Sequence, residues 1–309
     1  MRSTVFLVFF TFLFNSLIAQ DNPTDTVKYW ETGGTYSFTL NQVSLTNWQA
    51  GGENSISGNT LLNIFGNYEK NKISWANNLT LAYGLSQIGD DELRKTDDRI
   101  EFNSSIGYHA TKKWDYTAFL IFRTQFTDGF DYPNDSVKIS TFFAPAYLIG
   151  GLGMEYKEFK WFRVNISPLS GKITFVGDQL LANRGAFGVE AAELDTAGNI
   201  ITEGRNVRYE VGGSIKLIIK KELMENVVMQ TQLDLFSNYI ENPENIDVNW
   251  DFLINLKVNK WLSANLSTNL IYDDDINIAV EEDSEGNVTK SGPRTQFRQI
   301  FGAGLNISF

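Results

Sequence analysis

The chain holds one histidine, His109, and no cysteine. Hydrolysis by a serine or threonine hydroxyl needs a neighbouring base, most often an imidazole held by a carboxylate. His109 is followed by Ala110-Thr111-Lys112-Lys113, a basic turn-like run rather than a hydroxyl and carboxylate set. No enzyme is expected. Without cysteine there is no disulfide framework, no thiolate metal site and no residue for lipid acylation. Carboxylates are the other groups able to do chemistry. They gather in Asp90-Asp91-Glu92, in Asp128, Asp131 and Asp135, in Asp273-Asp274-Asp275, and in Glu281-Glu282-Asp283 with Glu285. Oxygen-rich runs can ligate Ca²⁺, and Asp273, Asp274 and Asp275 are the weak candidates. None of the runs has the twelve-residue spacing of a dedicated calcium loop, so solvated acidic loops and no cofactor are the expectation. The formal net charge of −11 argues against nucleic acid or an anionic surface as partner.

These groups act only where the backbone puts them, and the hydropathy pattern says how that is done. Alternating segments of ten to sixteen residues recur at 36–46, 55–68, 72–87, 97–109, 114–127, 141–156, 161–176, 206–220, 226–240, 246–258, 261–273 and 294–309. In 246–258, Trp250, Phe252, Ile254, Leu256 and Val258 face one way, against Asp251, Asn255 and Lys257. In 206–220, Val207, Tyr209, Val211, Ile215 and Leu217 oppose Arg208, Glu210, Ser214 and Lys216. Period-two alternation marks strands between two different environments. Segments longer than the usual soluble strand match the spans of a membrane barrel. The fold expected is all-β, a transmembrane antiparallel up-and-down barrel.

Five short breaks (69–71, 110–113, 157–160, 221–225 and 259–260) interleave with six longer ones. That gives twelve strands, with short periplasmic turns and long extracellular loops. Fourteen strands are the alternative if 177–205 hides a hairpin, and 161–176 is the least regular segment because Pro168 removes a ladder donor. Met1-Arg2, the apolar run Val5–Phe14 and Ala19 read as a signal peptide over 1–19, followed by a short periplasmic segment 20–35 and the barrel 36–309. Tyr68, Trp75, Trp114, Tyr156, Trp161 and Trp261 flank the short turns and are expected at the membrane interface. His109 is placed with them as an interfacial side chain. Phe309, which closes the last alternating segment, is expected at the periplasmic rim, an ending that resembles the insertion signal of bacterial outer-membrane barrels.

Asn47-Trp48-x-x-Gly51-Gly52-Glu53-Asn54-Ser55, Arg94-Lys95-x-Asp97-Asp98, Thr124-Gln125-Phe126, Ser140–Pro145 and Ile271-Tyr272-Asp273-Asp274-Asp275 together resemble a Bacteroidetes-type outer-membrane family catalogued only as a domain of unknown function. The resemblance implies a barrel in the outer membrane of a Gram-negative bacterium and no particular activity. On the lumen parity lie Glu101, Arg123, Glu155, Arg208, Glu210, Lys216, Asp234, Asp251, Lys257 and Arg298. Both signs occur, so these form either a hydrogen-bonded plug or the charged eyelet of a narrow pore. The segment 177–205 is long enough to fold inward. A non-enzymatic envelope component engaging partners through loops or wall is the first expectation, and a passive channel for small or hydrophobic solutes is the alternative. Expected partners are outer-membrane lipid and lipopolysaccharide, the barrel-assembly machinery through the C-terminal strand, and an envelope protein, but not nucleic acid.

Overall fold

The computed structural model describes residues 28–45, 53–132, 134–282 and 288–309. The proposed signal peptide, the Asn47–Gly52 motif, Asp283 and Glu285 lie outside them. Twelve strands form the wall: β1 (Trp30–Val43), β2 (Ser55–Lys70), β3 (Ile73–Ile88), β4 (Arg94–His109), β5 (Trp114–Thr124), β6 (Ala146–Phe159), β7 (Phe162–Phe175), β8 (Val207–Met224), β9 (Val227–Asn238), β10 (Ile246–Lys257), β11 (Leu262–Tyr272) and β12 (Gln296–Ser308). Each pairs antiparallel with its neighbours in sequence, and β12 closes on β1, with Thr35 opposite Ser308 and Thr39 opposite Gly304. Closure leaves no open edge, as a wall in lipid requires.

The short turns follow from residue type. The tight β2–β3 and β8–β9 connections put Asn71 at φ 56° and Asn226 at φ 64°, a left-handed backbone that asparagine tolerates better than most side chains. Pro168 does not divide β7. Ser167 and Ser170 stand opposite Ser214 and Gly212, so that two residues of β7, Pro168 and Leu169, oppose the single Gly213 of β8, and the same offset recurs against β6. The proline therefore occupies a bulge, where a missing donor costs no ladder bond.

Several boundaries differ from those read in the sequence, and three of them have a clear cause. β1 begins at Trp30 rather than 36, because Trp30, Glu31 and Thr32 extend the ladder to Tyr68, Asn67 and Gly66. Residues 30–35 thus belong to the barrel and not to a separate segment. β5 ends at Thr124, since the next amides turn away: Phe126 and Thr127 donate to the Asp98 carboxylate at 2.7 and 3.0 Å. β6 starts at Ala146 instead of 141, because Thr141–Ala144 close a turn on themselves through two backbone hydrogen bonds of 2.8 and 3.0 Å.

The wall is inside out relative to a soluble core. Phe297, Phe301, Leu305 and Ile307 of β12 and Tyr209, Val211 and Ile215 of β8 are exposed on the outer face, while Asp97, Glu101, Asn165, Lys172 and Glu210 are buried within. Each large outward side chain left in water would forgo about 1.5–3 kcal/mol of burial, so the face is built for hydrocarbon. At the seam, Gly34 and Phe309 exchange backbone hydrogen bonds of 2.9 and 3.0 Å. A Cβ on Gly34 would stand 2.5 Å from the Phe309 ring and 2.6 Å from the Asn63 carbonyl, so only glycine lets the last residue lie flat on the wall.

The longer connections fold among themselves. Small hairpins form at Gly129–Asp131 with Asn134–Ser140, at Glu193–Leu194 with Ile200–Thr202, and at Asn277–Glu282 with Val288–Pro293, and none joins the barrel sheet. The hairpin within 177–205 therefore leaves the strand count at twelve. The same connection carries a one-turn helix, Gln179–Asn183, capped by Asp178, whose carboxylate accepts from the Leu180 and Leu181 amides. Leu181, Ala182 and Val189 pack with Ala144 and Val176 into a buried apolar cluster.

Candidate functional site

The chemistry-bearing residues line the lumen at three levels. The middle one is a belt. Arg123 on β5 donates to Glu101 on β4 at 3.1 Å and to Asp234 on β9 at 2.8 Å. Lys216 on β8 lies 3.7 Å from Asp234 and donates to Asn103 on β4 at 3.3 Å. Arg99 on β4 meets Asp251 on β10 at 3.5 Å. In a ring of twelve strands β4 and β10 stand opposite each other, so this pair joins the two walls through the middle of the barrel. Arg298 on β12 reaches Asp97 on β4. A hydrogen-bonded charge held between walls is far stronger than one in bulk water, because the low surrounding dielectric raises the attraction.

The second level lies at the loop end. Lys172 on β7 is buried, with Asp247 at 2.8 Å, Asp273 at 2.9 Å and Glu210 at 3.6 Å. Arg208 on β8 pairs with Asp275 at 2.7 Å and Glu241 at 3.1 Å, and donates to the Gly188 carbonyl at 3.2 Å. Gly188 belongs to the β7–β8 connection and Asp275 to the β11–β12 connection, so two loops rooted four strands apart meet over the mouth. The 177–205 segment thus reaches the mouth at Gly188, while packing of Leu181, Ala182 and Val189 on Ala144 and the 2.6 Å pair of Asp178 with Lys138 anchor it to the β5–β6 connection. The belt and the mouth each leave one buried carboxylate oxygen without a hydrogen bond among the described residues: Asp234 Oδ1 in the belt and Glu210 Oε1 at the mouth.

The third level is at the turn end. His109 points into the lumen with the parity of Glu101, and its Nδ1 lies 2.9 Å from Asp115 Oδ1. Asp115 is buried and also pairs with Lys157. Below them Asn165 donates to Thr117 at 2.6 Å and Ser167 to Asn165 at 2.6 Å. His109 is therefore a lumen residue and not an interfacial one. Its imidazole is held by a carboxylate, but its hydrogen-bond and ion-pair partners are Asp115, Lys157 and Glu69, with no hydroxyl among them.

Of the ten lumen charges read from parity, Glu101, Arg123, Lys216, Asp234, Asp251 and Arg298 meet in the belt, and Arg208 and Glu210 at the mouth. Glu155 stands opposite Asp115 on the β5–β6 ladder. Lys257 is exposed at the turn end of β10, outside all three levels. Asp97 and Arg99 were missed although they share the parity of Glu101. Lys172 was missed because the Pro168 bulge breaks the alternation of β7. Asp273, Asp274 and Asp275 do not converge: Lys172 holds the first, Asn245 and Tyr272 donate to the second, and Arg208 holds the third. Among the described residues no group of three acidic or histidine side chains is arranged to hold a metal.

Aromatic side chains collect at the turn end. Trp30 lies 5.2 Å from Tyr68 and 5.7 Å from Trp75, Trp114 is 5.1 Å from Tyr156, and Trp161 stacks on Phe159 at 5.5 Å between ring centres. Trp261 and Phe309 are exposed at the same end. Trp30 joins the girdle because β1 starts early.

Residues 40–130, from the end of β1 through β5, match the family described as Protein of unknown function (DUF3078). The quoted motifs from Arg94 to Phe126 fall in that span, whereas Ser140–Pro145 and Ile271–Asp275 lie beyond it. No curated protein matches the chain. Among solved structures it is similar to the COG4313 outer membrane channel from Pseudomonas putida F1, at 11% identity and TM-score 0.40, over 94% of this chain and 100% of that one. It is similar also to the NanC porin, at 7% identity and TM-score 0.36, over 88% and 98% of the two chains. The P. putida toluene transporter TodX matches at 10% identity and TM-score 0.32, over 92% and 80%. By its own closed ladder and apolar outer wall, the chain is a twelve-strand β-barrel of the outer-membrane type.

Proposed function

We propose that the protein is an integral barrel of a Gram-negative outer membrane, non-enzymatic and with a lumen sealed at rest, which serves the envelope through its loops and wall rather than as an open pore. The observation that carries this reading is the belt: Arg99 and Asp251 meet from opposite strands while Arg123 bridges Glu101 and Asp234. An open eyelet keeps its charges apart around a water column, whereas here cations and carboxylates from facing strands touch. The meeting of Gly188 and Asp275 on Arg208 at the mouth supports a second seal in series. The His109 geometry supports the non-enzymatic part, since the imidazole is turned to Asp115 and Lys157 at the turn end of the lumen.

Planar-bilayer recording on the purified full-length protein tests the seal. The wild type is expected to give no reproducible single-channel steps. Deleting 179–204 alone should leave it silent, because the belt remains, and adding Arg123→Ala and Arg99→Ala to that deletion should open conductance. Reproducible steps from the wild type would overturn the sealed reading in favour of a channel. Mild extraction that brings down a stoichiometric envelope protein would support the engagement of a partner.

A further inference from the structure

The net charge of −11 conceals a segregation by end. Each of the five short turns carries two lysines within it or within two residues of it: Lys70 and Lys72, Lys112 and Lys113, Lys157 and Lys160, Lys220 and Lys221, Lys257 and Lys260. The same windows (69–72, 109–115, 157–161, 220–227 and 257–261) hold five acids. The turn end thus carries +5, and the rest of the chain −16. One of those acids, Asp115, is turned into the lumen and paired there, and Glu158 is held by Lys113 at 2.5 Å. Lys157 turns inward with Asp115, and Lys70, Lys72, Lys221 and Lys260, each over an exposed ring, form the collar that faces outward.

We propose that this collar is a docking ring for anionic phospholipid headgroups of the leaflet at the turn end. The position of the lysines favours lipid over a soluble partner. Lys70 Nζ lies 4.4 Å from the Tyr29 ring centre, Lys72 5.7 Å from Tyr108, Lys221 5.2 Å from Trp161 and Lys260 5.3 Å from Trp261. All four rings are exposed on the outer wall. An aromatic ring on a barrel wall rests at the headgroup level, so an ammonium over its face is held at the depth and radius of a lipid phosphate. The cation–π contact also fixes the long side chain, which lowers the entropy lost when a phosphate arrives. The expectation drawn from net charge, that an anionic surface is no partner, averages over the whole chain, and the lysines of the turn end argue against it there.

The inference rests on the barrel spanning a bilayer but not on a sealed lumen, so a conducting wild type would leave it standing. Five tryptophans, Trp30, Trp75, Trp114, Trp161 and Trp261, lie at the turn end and report on the lipids beside them. The full-length protein is reconstituted in phosphatidylcholine bilayers containing brominated phosphatidylglycerol or brominated phosphatidylcholine, and the relative binding constant is read from tryptophan quenching. A preference of about fivefold for phosphatidylglycerol at low salt is expected, since a lysine near an anionic surface is worth that much, and it should fall toward one in high salt. The K70Q/K72Q/K221Q/K260Q variant, checked by heat-modifiable migration for a folded barrel, should lose the preference. A wild-type ratio of one, or a ratio unchanged by both salt and substitution, would overturn the proposal. So would lysine-dependent sedimentation with purified peptidoglycan in the absence of any lipid preference.

Discussion

The belt and the mouth are both built from lumen charges, yet they differ in balance. In the belt Arg99, Arg123 and Lys216 face Glu101, Asp234 and Asp251, three charges of each sign, with Arg298 and Asp97 as a further matched pair. At the mouth Lys172 and Arg208 face Glu210, Glu241, Asp247, Asp273 and Asp275, two cations against five carboxylates. Every belt residue stands on a strand, whereas Glu241, Asp273 and Asp275 come from connections. A balanced set on rigid elements is a permanent crosslink, because each charge has its counter-ion in place and any loss strands a partner. An unbalanced set under a loop holds together while repelling itself, and it is built to change.

The largest effect that this contrast predicts is at Arg123. Arg123→Met leaves Glu101 and Asp234 without their shared cation, and removing one member of an interior ion pair typically costs about 3–5 kcal/mol. Urea unfolding in lipid, followed by tryptophan fluorescence and gel migration, should show a loss of that size. A loss under about 1 kcal/mol would mean that water enters the belt and screens it. Adding Glu101→Leu, Asp234→Leu and Lys216→Met to Arg123→Met, so that no cation of the group is left without its carboxylate, should restore much of the stability, since an apolar set in place of a complete ion-pair group is often neutral.

Neutralising an acid should separate the two regions by size and even by sign. Glu101→Gln in the belt removes one of three balanced carboxylates and is expected to cost about 1.5–3 kcal/mol, the range of a hydrogen bond to a charged group. Asp247→Asn at the mouth keeps an acceptor for Lys172, which retains Glu210 and Asp273, and relieves part of the excess negative charge. Its effect should stay within about 1 kcal/mol of zero. Equal losses from the two substitutions in the same urea assay would erase the distinction between crosslink and self-repelling cluster.

The belt was largely legible from the sequence and the mouth was not, and the physical reason is the same difference in support. On a regular strand the side of every residue follows from parity, so Glu101, Arg123, Lys216, Asp234, Asp251 and Arg298 could be placed in the lumen before any contact was known. Parity does not say which of them touch, because the Arg99–Asp251 contact depends on register around the whole ring. At the mouth the rule fails twice. Pro168 shifts the alternation of β7 by one residue and hides Lys172, while Asp275 and Gly188 are brought together by loop conformation, which has no period to read. The wall was legible throughout, except where a strand ends on side-chain hydrogen bonds, as β5 does on Asp98, or begins early on a ladder partner, as β1 does on Tyr68.

The smallest effect lies in what anchors the loop that reaches the mouth. Asp178 caps the helix Gln179–Asn183 and pairs with Lys138 at 2.6 Å. The hydrogen bond from Lys138, aided by the amides of Leu181 and Leu180, holds its carboxyl below the usual carboxylate range. A group whose pKa is depressed on folding stabilises the folded form above its unfolded value and loses that contribution as pH falls through the folded one. The cap anchor is therefore complete at neutral pH and weakens below the ordinary aspartate value of about 3.9. The belt, with matched charges on rigid strands, should hold over the same interval. Hydrogen exchange at Leu180 and Leu181, corrected for intrinsic rates, should show protection falling by about 0.5–1 kcal/mol between pH 5 and pH 2.5, the range of a partly exposed ion pair, while strand amides beside Arg123 keep theirs. Asp178→Asn, which retains the cap acceptor but not the charge, should start at the lower protection and lose the pH dependence. If the variant titrates like the wild type, the pH response belongs to the carboxylates of the mouth and not to the anchor of the loop.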